Sequence, residues 1–258
     1  MGEIVDLVDK VKKYYKFSST ELRGFIISIL IVAFIISFRE WGKGAEIDIG
    51  LGLINFLNAL LVTALTFIVY NSAYKVTALV AGFKAEYKMW TFGLLAGLVL
   101  VFVSNGKVWL LLPGSILYHH LAGHRLGWFR YEINYFALGV LSLWGPISCI
   151  FLAIFFKIIG SFAFNALIHK AIILNLALAV YSMLPIPPMP GSKVFYGSRM
   201  LFAFSFCAIV AAAILLAIDI NVWLAIIGAF LIGVICWLLY YILLEKGWWQ
   251  GPFPKMKV

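Results

Sequence analysis

Charge is what this sequence has least of. Of its 258 residues only 12% are charged, while 64% are hydrophobic, too few polar groups to coat the surface of a soluble domain. A helical membrane protein is the expectation. Cysteine is scarce too: Cys149, Cys207 and Cys236 are odd in number, lack paired spacing and lie within apolar runs, which predicts packing residues rather than a disulfide framework or a metal cluster. No G-x-G-x-x-G, phosphate-binding loop, Ser/His/Asp set or C-x-x-C occurs, so the usual nucleotide, hydrolase and redox signatures are absent. The first 23 residues are charged, and the next apolar run lacks a small-residue exit, unlike a cleaved secretory signal. The net charge of +9 falls beside the apolar runs, where it sets orientation rather than binding nucleic acid.

Long uncharged stretches are what is there. Runs 24–38, 49–74, 89–106, 133–156, 171–192, 200–218 and 220–244 approach the length needed to cross a bilayer, whereas 108–123 is broken by Pro113 and Gly114. The expected architecture is an all-α polytopic bundle of about six transmembrane helices plus a hairpin or re-entrant segment at 89–123. Lysine and arginine counts put both termini in the cytoplasm of a cell-membrane protein, with 75–88 inside and 39–48 outside. Three regions follow: an amphipathic N-terminal segment 1–23, a membrane domain 24–245, and a basic tail 246–258 with Trp248, Trp249 and Phe253 at the inner interface. Ser18 and Glu21 form a capping-box pattern that starts the first span. Upstream, Ile4, Val8, Val11 and Tyr15 share a helical face among lysines, as in a helix lying on an anionic bilayer; a plain solvated tail is the alternative.

Two features stand out inside the apolar runs. Residues 182–195, SMLPIPPMPGSKVF, carry Pro185, Pro187, Pro188 and Pro190, whose missing N–H groups forbid regular helix and predict a buried or cavity-lining segment. Either they scaffold a site or they simply end a helix. Asn175, upstream in the same run, predicts an amide bonded to a neighbouring helix. The other feature is the pair Tyr70 and Tyr74, at the same predicted depth as the prolines.

These residues resemble the archaeal members of the site-2 protease family, intramembrane metalloproteases. The resemblance lies in Lys75, Ala78, Gly82 and Ala85-Glu86-Tyr87, then LPGSILY (112–118), LGVLSLWGP (138–146) and NLALAVYSMLPIPPMPGSKVF (175–195), in that order. It implies a bundle of about six spans with zinc held by an H-E-x-x-H helix and an aspartate of the proline-rich loop. That frame falls here on Tyr70, Asn71, Ser72, Ala73 and Tyr74, with Pro190 at the aspartate position and Ser182 at that of an asparagine. Neutral phenols are poor zinc ligands, an amide is no general base, and proline has no side-chain donor. The implied protein is a catalytically inactive homologue without cofactor, its former metal site filled by tyrosine rings whose hydroxyls bond to Asn71, Ser182 or the carbonyls around Pro185–Pro190.

Such a protein would bind other integral membrane proteins or transmembrane helices as a scaffold subunit, and would contact the lipid bilayer. Asn175, Ser182, Pro185, Pro187, Pro188 and Gly191 are the candidate helix-binding residues. The alternative is an active intramembrane zinc metallopeptidase with a rearranged site. His119, His120 and His124 would serve it, with His120 and His124 on one helical face if that stretch were helical and Glu132 as a third ligand. Interfacial histidines with no ligand role are the plainer reading. A transporter would want ionisable groups within the spans, and almost none are there.

Overall fold

A computed structural model describes residues 2–42, 48–121, 134–162, 165–218 and 220–245. Its helices are α1 (Gly2–Tyr14), α2 (Ser19–Ser37), α3 (Ile49–Val80), α4 (Thr91–Val103), α5 (Tyr135–Phe162), α6 (Ala166–Ser182), α7 (Pro190–Gly197), α8 (Arg199–Ala217) and α9 (Val222–Tyr240). Among the described residues, five stretches are long and apolar enough to cross a membrane, namely Ser19–Glu40, Ile49–Val80, Tyr135–Phe162, Arg199–Ala217 and Val222–Glu245. The chain is a helical membrane protein. Helices α4 and α6 are apolar but shorter than these.

The capping box at Ser18 is present. Its hydroxyl accepts from the Glu21 amide at 3.1 Å, and the Glu21 carboxylate accepts from the Ser18 amide at 3.3 Å. Glu21 does more than cap. It is buried and meets Lys75 of α3 at 2.9 Å, and it also accepts the Tyr87 amide at 2.9 Å. One carboxylate therefore joins α2, α3 and the segment that follows α3.

That segment departs from expectation. The span drawn at 49–74 continues as helix to Val80, and 75–88 is not a loop. At about 1.5 Å per residue its 32 residues exceed a 30 Å hydrocarbon layer, so α3 projects beyond it. Gly82, with φ +81°, then turns the chain into β1 (Phe83–Met89), which pairs antiparallel with β2 (Gly114–His120). Among the described residues the sheet has these two strands, and an all-α reading misses it.

The 89–123 hairpin forms with one helical arm only. After α4, a tight turn through Asn105 and Gly106, both with positive φ, sends the chain back extended. Gly93 and Gly97 make this possible: a Cβ there would lie 2.5 Å from the Leu112 carbonyl oxygen and 2.3 Å from that of Leu110. The returning backbone thus lies directly on the glycine face of α4, and Trp90 donates its amide to the Pro113 carbonyl at 3.0 Å. Pro113 and Gly114 deny the return arm a helix.

The run drawn at 171–192 is helical from Ala166 to Ser182. The prolines then form the connection to α7, with Pro190 in its first turn. Pro185 and Pro187 are exposed, Pro188 is partly buried and Pro190 is buried, so of the two expectations, burial or cavity lining, burial does not hold for the whole segment. Local pairing removes the need for it: Met189 donates its amide to the Ile186 carbonyl at 2.8 Å. Tail 246–258 lies outside the described residues.

Candidate functional site

The buried face of α3 repeats at helical spacing through Thr63, Thr66, Phe67, Tyr70, Asn71, Tyr74, Lys75 and Ala78. Tyr70 and Tyr74, four residues apart, stand one above the other on it. Their rings pack edge to face, with centroids 5.0 Å apart and planes at 89°, the arrangement ring quadrupoles favour. Tyr70 donates to the Ser182 hydroxyl at 3.1 Å, and Tyr74 lies 3.3 Å from the Tyr70 oxygen and 3.2 Å from the Ser142 carbonyl. The expected Ser182 contact is present. The contacts expected to Asn71 and to the proline carbonyls are replaced by Ser142 of α5 and by the partner tyrosine.

Gly145 of α5 explains how the second ring is seated. A Cβ on Gly145 would come within 2.2 Å of the Tyr74 ring, so the phenol occupies the space a side chain would need. Asn71 turns away, its amide donating to the Phe67 carbonyl of its own helix at 2.9 Å, while its Oδ1 is buried without a partner. Asn175 bonds Thr66 across the α3–α6 contact at 3.0 Å, as an amide within a span is expected to. Gly191 presses on the Met183 carbonyl, which a Cβ would approach to 2.2 Å. Tyr70, Asn71, Tyr74, Asn175, Ser182 and Gly191 are thus brought together in the core between α3, α5, α6 and α7, whereas Pro185 and Pro187 stand apart at the surface.

Two phenols and an amide are a donor set that does not suit Zn²⁺, which takes thiolate, imidazole or carboxylate. The tyrosine hydroxyls are already engaged with protein groups.

His119 and His120 are neighbours on β2, not members of a helix. Adjacent strand residues point to opposite faces. His119 lies 3.9 Å from Glu86, and His120 packs on Phe83 with centroids 5.0 Å apart. The Glu86 carboxyl is held below its usual range, first by its hydrogen bond from Lys84. His124 and Glu132 lie outside the described residues. Among the described residues no three His, Cys, Asp or Glu side chains converge on a point.

Sequence reasoning missed several members of this neighbourhood. Ser142 and Gly145 sit within the LGVLSLWGP block without an individual signal. Tyr118 of β2 and Ser142 are buried near one another, yet neither hydroxyl has a hydrogen bond of good geometry. Lys193 of α7 donates to the Ile116 carbonyl on β2 and lies 5.1 Å from the centre of the Tyr118 ring. Burial pushes the Lys193 ammonium down to about 8. A basic residue right after a proline cluster reads as a topology signal, and only the fold turns it inward.

A curated protein of Methanocaldococcus jannaschii named "Putative zinc metalloprotease MJ0611" is 27% identical over 194 residues, covering 73% of this chain and 90% of the relative. That similarity supports a site-2-protease-like relationship. No family profile matches the chain, and no solved structure matches it.

Proposed function

We propose that this chain is a catalytically inactive site-2 protease homologue of the cell membrane, its N-terminus cytoplasmic, that holds a transmembrane helix of another membrane protein. The observation that carries this reading is the tyrosine pair. In the frame where the resemblance implies zinc ligands, Tyr70 and Tyr74 pack on each other, bond to Ser182 and the Ser142 carbonyl, and press on Gly145. Similarity to a protein named as a metalloprotease supports the ancestry, and the chemistry of the replacements supports the loss. What such a fold retains is a bundle able to present a surface to a helix. The exposed Pro185-Ile186-Pro187 turn is the part of the implied helix-binding set that a partner can reach.

The test combines metal content with partner capture. Purified protein should contain far less than one zinc per chain by elemental mass spectrometry and should leave single-span membrane substrates uncut. A photo-crosslinker at Ile186, which is 45% exposed, should capture a discrete membrane protein through its transmembrane segment in native membranes. Stoichiometric zinc with cleavage that chelation abolishes would overturn the proposal.

A further inference from the structure

Helix α1 lies directly before a helix long and apolar enough to cross a membrane. It ends at Tyr14, and α2 begins at Ser19 and shows its apolar side within one turn, with Leu22 and Ile26 about half exposed. Four residues separate a helix that crosses from one too charged to follow it. The side of α1 not covered by protein carries Val5 and Val8, 60% and 44% exposed, and Phe17 beyond the helix is 39% exposed. Lys12, Lys13 and Lys16 are exposed beside them. Apolar residues flanked by lysines are what an interfacial helix presents to an anionic headgroup layer.

The second observation is how this helix is fastened. The Tyr15 hydroxyl meets the Ser72 hydroxyl of α3 at 2.6 Å. Lys75 of α3 donates to the Lys16 carbonyl at 3.0 Å and lies 4.0 Å from the centre of the Phe17 ring, while its charge is held by Glu21. Ser72 and Lys75 flank Tyr74 on α3. These contacts tie the connection between α1 and α2 to the turn of α3 that carries the tyrosine pair.

We propose that α1 is a lipid-reading arm: it seats in an anionic headgroup layer, and the Tyr15–Ser72 and Lys16–Lys75 contacts couple that seating to the α3 turn at Tyr70 and Tyr74. The partner is the phospholipid surface itself. Each lysine near an anionic leaflet contributes about a fivefold preference, so three give roughly a hundredfold. Coupling is reciprocal, so seating must stabilise the α3 core if the core holds the arm in place. An arm that bound lipid independently would leave the core's stability unchanged.

The test uses the full chain in nanodiscs of phosphatidylcholine alone or with about 30% phosphatidylglycerol. Hydrogen exchange of residues 2–17 should slow at least about tenfold in the anionic discs, and the thermal midpoint should rise by about 3 °C. Lys12→Gln, Lys13→Gln and Lys16→Gln together should erase both differences while leaving behaviour in phosphatidylcholine unchanged. That control also removes the bland account, in which basic residues at the end of α1 only offset its own dipole. Ser72→Ala should keep the exchange difference but lose most of the thermal one. Equal exchange in the two lipids would overturn the lipid reading, and an undiminished thermal shift in Ser72→Ala would overturn the coupling. Neither readout involves a client helix or a metal, so the result stands or falls apart from the proposed function.

Discussion

Tyr74 is fully buried and its ring fills the room that Gly145 leaves. Tyr74→Ala should cost about 3–5 kcal/mol, the usual range for deleting a large buried aromatic. Gly145→Ala should also destabilise, but much less when combined with Tyr74→Ala, because the clash then has no second party. Thermal unfolding of the four proteins gives the coupling directly. Glu21 and Lys75 make a different demand. Removing either alone leaves a buried charge and should cost about 3–5 kcal/mol, whereas a Glu21→Gln, Lys75→Met double variant should recover part of that loss. Lys193 sets a pH dependence. Its folded value near 8 lies below the 10.4 of a free lysine, so between those values the unfolded chain binds more protons. Stability attributable to this group should be fully present above about pH 10.4, fall as pH drops to about 8, and stay flat below. Lys193→Met should flatten the slope in that window of the unfolding profile.

At the scale of elements, periodicity and breakers account for most of what was legible. The capping box placed the start of α2, and uncharged length placed α3, α5, α8 and α9. The two-stranded sheet was not legible, because Phe83–Met89 carries lysines that read as a cytoplasmic loop and Gly114–His120 follows an apolar run that reads as membrane. Their pairing depends on α4 letting an extended chain lie on Gly93 and Gly97. Gly97→Val should push residues 108–113 off α4. Limited proteolysis at Lys107 should then become rapid, with an overpacking cost of about 1–3 kcal/mol. Unchanged cleavage would contradict the backbone contact at Gly97.

For the whole molecule, low charge and long apolar runs sufficed to place the chain in a membrane, since no other solvent tolerates such a surface. The sequence also named most of the candidate site, because i and i+4 residues on a helix share a face wherever that helix goes, and so Tyr70 and Tyr74 had to meet. What they meet was beyond it. Ser142, Gly145 and Ser182 come from helices 68 or more residues away in the chain, and Glu21 reaches Lys75 across 54. Local pattern determines which residues lie side by side on one helix. Only the packing of α3 against α5 and α6 decided that the two phenols find hydroxyl and carbonyl partners, that Asn71 turns back on its own helix, and that two of the four prolines stand at the surface. Those outcomes depend on which backbone approaches closely enough to fill or leave a space, a property of pairs of elements rather than of any one of them.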